Sequence, residues 1–101
     1  MPYSLEDYKG CFRRYVFDRP DLTREDRVKL YAFLDQLRQQ GDSFRGDPDR
    51  RLDPGSSCFW FDPVFADSTC RLRHFRIVVD DVGAAYGVLR IVYIDEAAPL
   101  G

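Results

Sequence analysis

The chain has 101 residues, of which 45% are hydrophobic and 32% charged, with 15 basic against 17 acidic side chains and a net charge of −2. That balance fits a single folded domain, excludes a disordered chain, and supplies no bulk positive field for nucleic acid. No apolar run approaches the roughly 20 residues of a membrane span, and the first twenty residues alternate charges and aromatics where a signal peptide would be apolar, so the expectation is a soluble, cytoplasmic protein without membrane contact.

Ser4 to Asp7 reads as a helix start: Ser4 can accept from a free backbone N–H, and Glu6 and Asp7 sit at the positive end of a helix dipole. Leu5, Tyr8, Phe12, Tyr15 and Val16 then recur at three- and four-residue steps, which predicts a helix over about 5–17 ended by Asp18-Arg19-Pro20. Thr23 to Asp26 repeats the start signal, and Leu30, Phe33, Leu34 and Leu37 form a second stripe, predicting a helix over about 24–40 stopped at Gly41. The short connection between the two predicts an antiparallel helical hairpin.

Residues 41–57 hold three glycines and two Asp-Pro steps and read as a long loop with at most a short turn or strand near Leu52. Asp47, Asp49 and Asp53 lack the bidentate Glu and positioned Gly of an EF-hand, so this loop reads as solvated and acidic. Strands follow at about 58–61, 72–80 and 86–95, rich in β-branched and aromatic residues, and the turn chemistry of Asp80 to Ala85 closes the last two into a hairpin. The predicted fold class is α+β: an N-terminal antiparallel helical hairpin packed on a three-stranded, or slightly larger, antiparallel β-meander in a single domain over 1–101.

Cys11, Cys58 and Cys70 make an odd set, which argues against a disulfide framework. Cys58, Cys70 and His74 lack the tight ligand pair of a structural zinc site, so no metal is expected. The glycines form neither a P-loop nor a dinucleotide fingerprint, so no cofactor is expected either. There is no G-x-S-x-G and no recognisable Cys–His pair, which leaves triad-type hydrolysis unsupported.

The chemistry-bearing cluster is Arg71-Leu72-Arg73-His74-Phe75-Arg76, three arginines and the only histidine with no acid among them. On a strand Arg71 and Arg73 project to one side and His74 and Arg76 to the other, with Arg90 near one pair or the other according to register. Such cations suit a phosphate, a nucleic-acid backbone or an acidic partner protein. The alternative is that they pair with Asp80, Asp81, Asp95 or the acidic loop and solvate the sheet. His74, which titrates near neutrality when exposed, is the candidate acid or base, with Arg76 and Arg90 as candidate anion-stabilising groups. Arg71, Arg73, Tyr86 and Tyr93 are candidate binding residues, the tyrosines through their hydroxyls or by stacking on bases. Phe59-Trp60-Phe61 reads as core.

The hairpin His74 to Val79, turn, Val88 to Tyr93 resembles the paired strands of the RelE/ParE-like toxins of bacterial toxin–antitoxin modules. Those strands read aromatic-Arg-hydrophobic, then hydrophobic-Leu-Arg-hydrophobic, and Phe75-Arg76 and Leu89-Arg90 stand at these positions. The family opens with a strand before its two helices, where residues 4–17 here predict a helix. Its active ribonucleases rely on basic and aromatic residues near the C-terminus, where this chain reads Ala97-Ala98-Pro99-Leu100-Gly101. The resemblance implies a toxin-type or regulatory protein that binds RNA, the ribosome, gyrase or an antitoxin-like peptide. As a metal-independent endoribonuclease, it would hold the scissile phosphate with Arg73, Arg76 and Arg90, while His74, Tyr86 or Tyr93 moved protons as the 2′-hydroxyl attacked. The second expectation is a non-toxic, non-catalytic α+β module that docks a protein partner, antitoxin-like or a second copy of itself. The acidic pI and missing nucleophile constellation favour this one.

Overall fold

The computed structural model describes residues 3–45, 48–53 and 55–97. The chain opens with strand β1 (Ser4–Asp7), whose side chains alternate exposed and half-buried. A 3₁₀ turn over Tyr8–Gly10 follows, with Lys9 at φ 54° and Gly10 at φ 65°, and only then does helix α1 (Cys11–Asp18) begin. The Asp7 carboxylate reaches past this turn: its two oxygens accept from the backbone N–H groups of Phe12 (2.8 Å) and Arg13 (2.9 Å), two of the four donors that a helix N-terminus leaves free. Asp7 is thus both the last residue of a strand and the cap of a helix.

Helix α2 (Arg24–Arg45) starts on a reciprocal cap: Thr23 Oγ1 accepts from Asp26 N–H (3.2 Å), and Asp26 Oδ2 accepts from Thr23 N–H (3.0 Å). It kinks at Gln40 (φ −111°, ψ 18°), directly before Gly41. A 3₁₀ turn at Pro48–Arg50 then leads to strands β2 (Cys58–Phe61), β3 (Val64–Ala66), β4 (Leu72–Asp80) and β5 (Val88–Glu96). The sheet runs β1-β5-β4-β2, with β1 parallel to β5 and the remaining pairs antiparallel. Strand β3 pairs with the first residues of β4 (Val64↔His74) and β2 with its last (Cys58↔Asp80), so both line one flank of β4, interrupted at Asp62-Pro63.

One face of the sheet takes the core. Phe75, Ile77 and Val79 of β4, Phe59 and Phe61 of β2, and Leu89, Ile91 and Ile94 of β5 are buried together with Phe12 and Val16 of α1 and Leu30, Leu34 and Leu37 of α2. Edge-on ring contacts lock the layers: Phe12 meets Tyr31 at 5.1 Å, and Phe33 meets Phe61 at 6.1 Å.

The α+β class stands, but the predicted architecture is corrected. There is no N-terminal antiparallel helical hairpin on a three-stranded meander; a strand, one short helix and one long helix lead into a five-stranded mixed sheet. The stripe Leu5, Tyr8, Phe12 suggested one helix over 5–17, yet Leu5 joins the core from the sheet and Tyr8 is exposed. What decides the matter is the ladder that β5 offers, with Ser4↔Val88 through Asp7↔Ile91 in register. Helix α2 also runs into the segment expected to be a loop, of which residues 46, 47 and 54 lie outside the described residues; Asp47 is one of them.

Candidate functional site

Strand alternation divides the arginine cluster as period two requires. Arg73 lies on the core side beside Phe75 and is only 3% exposed. Its guanidinium donates from Nε to Glu96 (2.6 Å) and from Nη2 to Glu96 (2.9 Å) and Asp21 (2.8 Å), and Nη1 stands 3.6 Å from Asp67. Arg19 braces the same acids, reaching Asp21 at 2.7 Å and Glu96 at 2.8 Å, and also contacts the Tyr15 hydroxyl. Hydrogen bonds from Arg19 hold the Asp21 carboxyl well below the usual range, and those from Arg73 lower Glu96. In this ion network Arg19 and Arg73 are both answered by carboxylates of the fold itself, so neither stands ready for an external phosphate. Arg71, just before β4, is exposed with its Nε 3.7 Å from Asp67.

Helices α1 and α2 pack on the core face; on the opposite face, among the described residues, Arg50 of the 3₁₀ turn reaches over the Trp60 ring with its Cζ 6.0 Å from the centroid. From β4 this open face carries Leu72, His74, Arg76, Val78 and Asp80, and the β2 ladder adds Trp60, which pairs with Val78 while Phe59 and Phe61 turn to the core. A bulge in β5 settles what that strand contributes: the partner of Val78 is Tyr93, but the partner of Val79 is Ile91, leaving Val92 as an extra residue. The register thereby puts Arg90, Tyr93 and Asp95 on the open face while Leu89, Ile91 and Ile94 all reach the core.

On this face Arg76 lies over the Trp60 ring with its Cζ 5.0 Å from the centroid, and it makes no hydrogen bond or ion pair among the described residues. Tyr93, 47% exposed, donates its hydroxyl to Asp95 (3.0 Å), a bond that pushes its titration up and makes it a poor base. Arg90 is 3.5 Å from Glu6 and lies 5.2 Å over the Tyr8 ring, toward the β1 edge. His74 Nε2 stands 3.4 Å from an Asp62 oxygen, and neither ring nitrogen makes a hydrogen bond among the described residues. Tyr86, 88% exposed, sits in the β4–β5 turn.

The candidate catalytic residues are therefore on one face but not at one point. Arg90 pairs with Asp80, six residues beyond His74, or roughly 20 Å at about 3.3 Å per residue. On the open face Arg76 and Tyr93 line one shallow pocket with Asp95, and Arg76 stacks on Trp60, a residue that the sequence pattern placed in the core with its neighbours. The usable signal was the position of Trp60 between two phenylalanines, since a strand must send it the other way.

Cys11 lies against Asp7 and the Ile91 carbonyl, and burial raises its thiol, so it is not poised as a thiolate. Among the described residues no group of three His, Cys, Asp or Glu side chains is arranged to hold a metal ion, and no helix is long and apolar enough to cross a membrane. Comparison with protein-family models, with curated proteins and with solved structures gave no match to this chain.

Proposed function

We propose that this chain is a cytoplasmic, non-catalytic protein-binding module whose working surface is the open face of the β4–β5 hairpin. The observation that carries the reading is the Trp60–Arg76 stack, whose Trp60 shares a cross-strand row with Tyr93, on the face of the sheet turned away from α1 and α2. Tryptophan, arginine and tyrosine are the side chains that dominate protein–protein hot spots, because each buries a large rigid area and keeps a directed polar end. The charges around them favour a protein over a nucleic acid: Glu6, Asp62, Asp80 and Asp95 stand against Arg50, Arg76 and Arg90, so the face offers a phosphate backbone no net positive field. The separation of His74 from Arg90 and the internal use of Arg73 support binding over phosphodiester cleavage. The strand Ser4–Asp7 ahead of two helices is also the element order that the RelE/ParE-like resemblance implies, which supports a regulatory relative of those toxins as the scaffold.

The test places a photo-crosslinking amino acid at Tyr93 in cells expressing the full chain, with growth, cellular RNA and plasmid topology followed in parallel. Protein adducts that disappear in Arg76→Asp, with normal growth and intact RNA, are the expected result. Growth arrest with cut messenger RNA or altered supercoiling, nucleic-acid adducts, or no adduct at all would overturn the reading.

A further inference from the structure

We infer that the open face is self-complementary and that its partner is a second copy of this chain, joined face to face about a twofold axis. This inference rests on the protein-binding reading of that face and names its occupant.

The register lays the face out in rows about 7 Å apart, since same-side residues recur every second position along a strand. The middle row is Trp60, Val78 and Tyr93. On one side of it Asp80 stands opposite Arg90; on the other, Arg76 stands opposite Asp95. Along β4 the order is thus acid, apolar, base, and along β5 base, aromatic, acid. The charge pattern inverts across the aromatic row.

An isologous interface requires a surface that complements its own image after a half-turn. With the axis lying along the aromatic row, across the strands, Asp80 of one copy comes over Arg76 of the other, and Arg90 over Asp95. Symmetry doubles both meetings, giving four of opposite sign. A twofold along β4 would set Asp80 over Asp80 and Arg76 over Arg76, which like charge opposes. One midway between β4 and β5 would set Asp80 over Arg90 and Arg76 over Asp95 but carry Trp60 out over β1, and the one-to-one mixture of variants below would then fail to re-associate. The favoured arrangement keeps the strands of the two sheets nearly aligned, as stacked twisted sheets are, about 10 Å apart.

Asp95 already accepts from the Tyr93 hydroxyl (3.0 Å) and Glu96 N–H (2.8 Å) and would meet Arg90 through its remaining lone pairs; the other three groups have more to spare. Arg76 has no carboxylate partner among the described residues, and Asp80 uses one oxygen to accept from Val82 N–H at 2.9 Å, which leaves the other. The Arg90–Glu6 contact is long, at 3.5 Å, and exposed, so little is lost when Arg90 shifts to a new acid. The same half-turn accounts for the exposed apolar residues at the two ends of the hairpin. Leu72 (64% exposed) and Val64 lie at the open end, while Val82 and Tyr86 lie in the turn, and the operation brings each end of one copy to the opposite end of the other.

The test is sedimentation of the full chain across a micromolar concentration range, with circular dichroism confirming that each variant is folded. The wild type is expected to reach twice the 11.8 kDa chain mass. Arg76→Asp and Asp80→Arg are each expected to sediment as monomers, because each sets like charges together. Mixed one to one they are expected to recover the dimer, because each then supplies what the other lacks. A wild type that stays monomeric, a dimer that persists in Arg76→Asp, or a mixture that fails to re-associate would overturn the inference. The crosslink at Tyr93 separates this failure from that of the binding reading: an adduct with a different protein removes the second copy and leaves the surface, whereas no protein adduct removes both.

Discussion

Arg73 shows how a single residue changes meaning between sequence and structure. Among three arginines and a histidine it reads as a phosphate ligand, yet its charge is answered by Glu96 and Asp21, 23 and 52 residues away in the chain. No local pattern announces partners at that distance; only the packing of the α1–α2 connection and the end of β5 around β4 brings them in. Removing the buried Arg73 leaves Asp21 and Glu96 held by Arg19 alone, and the loss of a buried partner costs more than the net worth of the pairs it made. Arg73→Met should therefore lower the unfolding free energy by about 3 kcal/mol at neutral pH, the low end of the range because Asp21 and Glu96 keep part of their hydration. Arg73→Lys should recover only part of that loss, since an ammonium cannot reproduce the two-pronged contact with Glu96. Denaturant midpoints of the two variants measure both effects. If Arg73→Met matched the wild type, the network would have no structural weight.

At the scale of elements, what could be read was what is local. The start of α2 is written in Thr23 and Asp26, three residues apart, because the cap is made by those residues with each other. The β4–β5 pairing is legible in two β-branched runs around a turn. The opening strand was not: Leu5, Tyr8 and Phe12 satisfy helical spacing, and the choice of strand for Ser4–Asp7 is made by β5, more than eighty residues later. The bulge at Val92 is similarly invisible, because an apolar residue on either side of it hides the change of face. The junction between β1 and α1 turns on Asp7, whose carboxylate accepts from two N–H groups of the helix. Asp7→Ala should cost about 1 to 2 kcal/mol, the range for losing an N-terminal cap. It should also speed hydrogen exchange at the amides of Phe12 and Arg13 while β5 stays protected. Unchanged exchange at those two amides would show that the helix end is held by something other than Asp7.

For the molecule as a whole, the acids around Arg73 join distant pieces: Asp21 between the helices, Asp67 in the β3–β4 turn and Glu96 at the end of β5. All three carboxyls titrate below their ordinary values. Asp67 is lowered to about 2, chiefly by the Thr69 side-chain hydrogen bond, and Asp21 and Glu96 by hydrogen bonds from Arg19 and Arg73. A carboxyl whose folded pKa is depressed binds a proton more readily in the unfolded chain, so the stability it contributes is complete above the unfolded value near 4 and is lost as pH falls through the folded one. Thermal melts should therefore give a midpoint that is flat above about pH 5 and drops steadily between about pH 4 and pH 2. In Arg73→Met the same decline should be shallower, because Glu96 and Asp21 then titrate closer to their unfolded values. A midpoint that rises on acidification, or a variant whose acid slope equals that of the wild type, would refute the linkage. The melts have to be run at one fixed chain concentration, because a dimer formed through the open face would itself make the midpoint concentration-dependent. That dependence separates the two contributions. Arg76→Asp should abolish the concentration effect at neutral pH and leave the acid slope set by Arg73 intact.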